Sequence, residues 1–420
     1  MYTNQYIRTS GWMVIRMSEF VIAGAQVFDG ERGLGTVDVY VANGVITAVG
    51  GPRTPGAAVV DARGTTLLPG LIDAHTHSDE PALRQALTFG VTTELDLTSM
   101  PEKMMPLRRT VAGSFDMADV RSASVGLTPA GGHPHQLRKG MDGPWPTAAS
   151  VVEVPGFVAG RIAEGADYLK VMIEDGRVMG ASVPVLAQDI LIAAVREAHA
   201  NGLKVLAHAL TLEATALAVD AGVDGLTHLF VDVPHTPELV ERVAAAGVFV
   251  IPTLSTLASI TGQDASAALA EDPRVRPKVP PVWLDSLADT WHTLPQHHFE
   301  YALASVSALH AAGVDVLAGT DAAHLGAPGT AHGASLHDEL RLLVRAGFTP
   351  LQALRAATAL TAQRFGLADR GRIEPGMCAD LLLVDGDPTA DIGDSLSVRA
   401  VWRQGVRLDL DSVASVASVA

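Results

Sequence analysis

A chain of 420 residues that is 48% apolar carries ample material for a buried core. Its 30 Lys and Arg stand against 46 Asp and Glu, and the resulting formal charge of −16 argues against nucleic acid or an anionic membrane surface as a partner. The one cysteine, Cys378, allows neither an intrachain disulfide nor a thiolate cluster, so any metal site rests on imidazole or carboxylate, and a reducing, cytoplasmic setting is compatible. In chain order, the run "GWMVI" near the start is too short for a signal-peptide core and no small-residue cleavage site follows it; Met17, just before the first β-rich run, is a plausible alternative initiator. "FVIAGAQVFDG", "VDVYVANGVITAVG" and "AAVVDARGTTLLPG" read as short strands with Gly and Asp turns, "ANG" marking a hairpin. From Leu71 onward the rhythm changes. Eight apolar strands, "LIDAHTH", "VTTELDL", "SASVGLTPA", "YLKVMI", "KVLAHAL", "GLTHLF", "FVIPTLS" and "DVLAGTD", are separated mainly by helical stretches. After residue 371 the β texture returns in "GRIEPGMCADLLLVDGD" and "VRAVWRQGVRLDL".

Strands apolar on both faces and joined by helices imply a parallel sheet, and eight such units fit a closed (β/α)8 TIM barrel better than an open doubly wound sheet. No glycine-rich dinucleotide fingerprint follows any strand, and no apolar span is long and uninterrupted enough to cross a bilayer. The expected organisation is a small β-sandwich from both chain ends, residues 20–66 and 369–410, around a barrel at 67–368, with a disordered tail at 411–420. Two segments interrupt the barrel: the Gly-, Pro- and His-rich loop 129–150 after the third strand, and residues 257–299, expected to form a partly helical cover over the ligand-facing rim.

His75 and His77 lie two apart in a strand, so both imidazoles share one face with Asp73. His208, His228 and Asp321 each end a different strand. In a (β/α)8 barrel those ends converge on the active-site face, so five such groups in register read as metal ligands rather than as core histidines and turn aspartates. Lys170 interrupts an otherwise apolar strand. A bare ammonium there carries a large desolvation cost, so it is neutralised, paired with a rim carboxylate, or chemically altered.

The ordered set His75-x-His77, Lys170, His208, His228 and Asp321, together with "LLPGLIDAHTH" and "GRIEPGMCADLLLVDGDP", resembles the amidohydrolase superfamily in its binuclear-zinc branch with a carboxylated lysine. Within it the sequence is most similar to Xaa-Pro and Xaa-Arg dipeptidases, which are prolidase-like, and to ochratoxin-type N-acyl amino acid amidohydrolases. The resemblance implies two divalent ions, zinc by preference. It assigns His75, His77 and Asp321 to the more buried ion, His208 and His228 to the other, and a CO2-derived carbamate on Lys170 to both, with a hydroxide between the ions as nucleophile. It further implies that Asp321 shuttles a proton to the leaving nitrogen, that His133 on the loop after strand three meets the developing oxyanion, and that the chain forms a homo-oligomer.

Two departures shift the expected substrate. Where these dipeptidases carry a tyrosine after the strand-five histidine, Leu210 can hydrogen-bond nothing, and "THLF" replaces their usual strand-six motif. Phe230, Trp283, Trp291 and Phe299 are therefore candidates for an apolar acyl or aryl pocket, although aromatics in a cover segment also serve its own packing, and His332 could meet substrate. The leading expectation is hydrolysis of the amide bond of an N-acyl amino acid, dipeptide or aryl amide, a small molecule in each case. The alternative is a carbamate, urea or ester of xenobiotic type. Phosphotriester hydrolysis and a non-enzymatic, metal-stabilised barrel are weaker readings.

Overall fold

Parallel strands buried on both faces are what near-continuous apolar runs require, and the computed structural model, which describes residues 5–8, 13–52, 56–137, 145–263, 265–323 and 327–412, contains two such sheets. In one, β1 (Leu71–Thr76), β2 (Val91–Asp96) and β3 (Asp119–Ser122) lie parallel; in the other, β4 (Leu169–Met172), β5 (Val205–His208), β6 (Gly225–Thr227) and β7 (Phe249–Ile251) do. A parallel bridge from Leu127 to Val171 joins the two sheets. The ring closes through residues 314–322, which bridge Val316 to Val250 on one side and Ala322 to Thr76 on the other.

That eighth segment is extended yet makes no regular ladder, and β1 supplies the reason. The Asp73 carboxylate accepts both the backbone N–H (3.0 Å) and the hydroxyl (2.7 Å) of Thr320, taking a donor that a ladder would use. Gly319 sits so close to β1 that a Cβ there would lie 2.8 Å from the His75 backbone nitrogen. The outer helices are ended by local chemistry: Thr211 and Thr236 cap Leu212–Ala221 and Pro237–Ala246 through their side chains, and left-handed Gly222 and Gly247 stop them.

Both chain ends build the second layer. One sheet runs, in spatial order, Gln5–Arg8, Met13–Arg16, Val406–Leu408, Val398–Arg403, Leu381–Asp385, Thr65–Pro69, Gln26–Phe28 and Gly33–Thr36; the other runs Val45–Val49, Val39–Ala42, Glu19–Ala23 and Ala58–Asp61. Phe20, Ile22, Ile46, Leu67, Leu381 and Trp402 are among the side chains packed in its core. Asn43 and Gly44, both at positive φ, turn the "ANG" hairpin. The hairpin before residue 20 was not expected from the sequence; it pairs with Val406–Leu408 and covers what would otherwise be an open edge. Sandwich and barrel are tied by charge: Arg370 donates to Asp119 (2.6 Å) and to Thr93 (3.0 Å), and Arg403, which also donates to Asp380 within the sandwich (3.2 Å), lies 3.8 Å from Asp119.

Over the rim, residues 257–299 form the end of helix Leu254–Ile260, helices Ala265–Glu271 and Pro281–Ala288, and the start of His298–Ala311. Among the described residues no helix is long and apolar enough to cross a membrane. Residues 413–420 of the expected tail and 138–144 of the first rim loop lie outside the described residues.

Candidate metal centre

Period-two geometry puts Asp73 and His75 of β1 on the barrel's inner face, with His77 just beyond the strand end. Lys170 comes from β4, His208 ends β5, His228 follows β6 and Asp321 stands near the end of the eighth segment. All of these except Asp73 line one cavity of about 590 Å³, as does His133. Asp73 instead lies behind His75, fully buried, its carboxyl pushed up to about 7 by burial and by the neighbouring Glu94, and spent on Thr320 and the His75 backbone N–H. His228 (φ 69°) and Asp321 (φ 59°) adopt left-handed backbone, which His and Asp tolerate better than most residues.

Asp321 is the hub. Its Oδ1 lies 3.2 Å from His75 Nε2 and 3.0 Å from His77 Nε2, and its Oδ2 lies 4.0 Å from His228 Nε2. His75, His228 and Asp321 offer ligand atoms all within 4.8 Å of one another, a candidate site for a metal ion. This grouping mixes residues that the resemblance divides between two ions. Outer partners orient two of the rings: His77 Nδ1 lies 3.0 Å from the Thr98 carbonyl, and His228 Nδ1 lies 2.8 Å from the Thr253 hydroxyl, leaving Nε2 toward Asp321 in each. Buried His75 Nδ1 has no hydrogen-bond partner among the described residues.

Burial holds His75, His133 and His228 well below the usual histidine range and His208 at about 3, with the charge of Lys170 acting in the same direction, so the four are neutral imidazoles, the form that ligates metal. His77 is different: burial lowers it, but its bond to and charge from Asp321 prevail and raise it. Lys170 is fully buried. Its Nζ donates to the Thr227 hydroxyl, and among the described residues no carboxylate lies within ion-pair distance. Burial brings the ammonium down to about 7, against the opposing pull of Asp321 and Asp96. Pairing with a rim carboxylate, one of the options open from the sequence, is therefore not what the fold provides.

The rest of the wall is largely apolar, with Leu210, Trp291, Met104, Met172, Met179 and Ile260 among its members. Phe230, Trp283 and His332, expected there, do not line it. Left-handed His228 turns the chain, so alternation along β6 does not extend to Phe230, which packs into the barrel–helix core. Trp283 joins Phe89, Leu269 and Leu287 in the core of the cover segment. His332 is fully buried, with Nδ1 2.8 Å from Glu94 Oε1, while Ser78 donates to Glu94 Oε2 (2.6 Å). The expected aromatic Phe299 is likewise core. His133 stacks on His208, with ring centroids 4.5 Å apart, and accepts from the Gln136 amide at Nδ1 (2.8 Å). Sequence reasoning missed the buried carboxylates Glu94, Asp96 and Glu174, although Glu94 and Asp96 interrupt an apolar strand just as Lys170 does.

A barrel that gathers imidazoles and a carboxylate at the carboxyl ends of its strands has the donor set that metal-dependent hydrolases use. Residues 66–408 match the amidohydrolase family, and the chain belongs to it: it is an enzyme, a hydrolase of carbon–nitrogen bonds. An uncharacterised protein of Mycobacterium tuberculosis is 27% identical over 378 residues, 85% of this chain and 89% of its own. Among solved structures, a prolidase complexed with N-methylphosphonate-L-proline is 26% identical with a TM-score of 0.71, covering 92% of this chain and 98% of its own. Molinate hydrolase, at 21% identity, shares the fold with a TM-score of 0.74 over 94% of this chain and 95% of its own.

Proposed function

We propose that the cavity hydrolyses the amide bond of an N-acyl amino acid, dipeptide or aryl amide with the help of two divalent ions, zinc by preference. The observation that carries this reading is that five groups of ligand type, His75, His77, His208, His228 and Asp321, face one cavity together with a lysine that has no carboxylate partner among the described residues. The donor set fits such ions. His75, His77 and Asp321 would hold one ion and His208 and His228 the other, with Lys170 between them as a carbamate; an amine held near 7 is substantially neutral at neutral pH, the form that adds CO2. When bound, the ions supply polarisation of the scissile carbonyl and activation of water near neutral pH.

The chain's own residues do the rest. Asp321, its side chain one-fifth exposed at 20% and set between His75 and His77, takes the proton of the attacking water and delivers it to the leaving nitrogen. His133, with Nδ1 occupied by Gln136, keeps its Nε2–H to donate to the developing oxyanion. The apolar wall takes a hydrophobic acyl or aryl group, and Leu210 offers no anchor to a dipeptide carboxylate. That feature favours a second reading, a carbamate, urea or ester with no free carboxylate.

The test is a panel of N-acyl amino acids, Xaa-Pro and Xaa-Arg dipeptides, aryl carbamates, ureas, lactones and a phosphotriester, run on protein whose metal content is measured. About two ions per chain and fastest turnover of hydrophobic N-acyl compounds are expected. At most one ion in fully active protein overturns the binuclear centre. Exclusive carbamate or urea turnover establishes the second reading.

A further inference from the structure

His208 is held the opposite way round from its neighbours. In His77 and His228 an outer partner takes Nδ1 and leaves Nε2 toward Asp321, whereas in His208 it is Nε2 that is bound, 3.0 Å from the Glu174 Oε2. Glu174 comes from the continuation of β4, four residues after Lys170 and on the same face by alternation. The Ile173 N–H donates to the His208 carbonyl (3.0 Å), so the two strand ends are locked in register where these side chains meet.

Glu174 is itself built into place. Its Oε1 accepts the Gly176 N–H at 2.6 Å, in a turn that only glycine can make: Gly176 has φ +87°, and a Cβ there would stand 2.9 Å from the Ala181 carbonyl carbon. The side chain is 1% exposed and does not line the cavity, so it is not placed to meet substrate. Among the described residues no Arg or Lys lies within ion-pair distance of it; Arg177, two residues beyond Asp175, pairs with Asp175 and Asp232 instead. A carboxylate with one oxygen on a backbone N–H and the other on a ring nitrogen has a single remaining task, to fix that ring.

We propose that Glu174 is the positioning residue of His208: it takes the Nε2–H, fixes the neutral tautomer and turns Nδ1 toward a metal ion. The proposal rests on the reading of His208 as a ligand. A neutral imidazole has one N–H and one lone pair, so a carboxylate accepting at Nε2 leaves the lone pair on Nδ1, and a held ring is a better ligand than a free one. The same contact steadies His133, which stacks on the His208 ring and is proposed to act on the oxyanion.

Two measurements test this on the full chain. In the metal-free protein with ¹⁵N-labelled histidine, the His208 resonance, assigned with His208→Ala, should show the Nε2–H tautomer, and Glu174→Leu should convert it to a mixture; a wild-type Nδ1–H tautomer overturns the proposal whatever the metal content. In competition between the protein and a chromogenic chelator for zinc, Glu174→Leu should weaken one of the two ions by roughly 10- to 100-fold and leave the other unchanged, with Glu174→Gln, which keeps the volume and one acceptor, falling between. Unchanged zinc affinity in both variants overturns the role of Glu174 while leaving the metal centre standing. Two ions retained by His208→Ala overturn both.

Discussion

The buried lysine makes opposite demands with and without metal, and Lys170→Met separates them. In the metal-free chain the folded state holds the Lys170 proton only to about 7, whereas the unfolded chain holds it to the ordinary 10.5. The unfolded state therefore binds more protons between those values. Wild-type stability rises with pH across that window, and the penalty, roughly 5 kcal/mol, is present in full below it. Methionine removes the charge at similar length. The Thr227 hydroxyl keeps its bond to the Ala207 carbonyl (3.1 Å), so no new orphan is created, and an imperfect fit costs about 1 kcal/mol. Chelator-treated Lys170→Met should then unfold at higher temperature than wild type at pH 6, with the gap closing toward pH 10. Saturating zinc should reverse the order, because only wild type can complete the centre and gain the stability that ligands confer. Thermal melts at pH 6, 8 and 10, with and without zinc, decide it. A metal-free variant less stable than wild type by the same amount at pH 6 and pH 10 would show that the fold already satisfies the ammonium, and the argument for a modified lysine would go with it.

Asp321→Asn keeps the volume and one oxygen but carries no proton, so kcat should drop by about 10²- to 10⁴-fold in zinc-loaded protein that melts normally; near wild-type turnover would rule out the shuttle. His337 is fully buried, bonded to the Phe89 carbonyl (2.9 Å) and the Ser395 hydroxyl (3.0 Å), and burial lowers it from 6.5 to about 4. Its unfolded form takes a proton first, so this contribution is whole above 6.5 and is lost as pH falls toward 4, by about 3 kcal/mol; urea titrations of His337→Gln should lose that part of the acid sensitivity, and parallel wild-type and variant curves would contradict the assignment. Trp291→Ala should lower kcat/KM for bulky aryl or acyl substrates by about 10- to 200-fold relative to small ones, and equal losses on both would remove Trp291 from the specificity wall.

What could be read from the sequence was whatever strand period and strand ends encode. His75, His77, Lys170, His208, His228 and Asp321 were legible because a parallel barrel puts alternate residues inside and gathers the strand ends on one rim. The reach of that rule ends with the strand. Phe230 lies two residues past the left-handed turn at His228, and His332 leans back to Glu94, a partner 238 residues away in sequence. Glu174 sits in "EDG", which reads as an ordinary acidic turn, yet counting by two from Lys170 through Met172 reaches it, and that count was the available signal. The eighth strand was legible as an element but not as an irregular one, since the diversion of Thr320 to Asp73 depends on a contact across 247 positions.

The mixed parentage of the sandwich sheet has a consequence during synthesis. Thr65–Pro69 pairs with Leu381–Asp385, and Val406–Leu408 carries the N-terminal hairpin, so strands made early wait for partners more than 300 residues downstream. At ribosomal rates that is a delay of roughly 15 to 60 s. Throughout it Leu67 and Leu68 have no strand on one side, while each of the first seven barrel strands finds a partner within a few dozen residues. The barrel can mature on the ribosome. The sandwich closes only once residues 381–408 have emerged, so the edge of Thr65–Pro69 stays open longest during synthesis, and loss of Leu381–Asp385 would leave it as an unpaired strand edge.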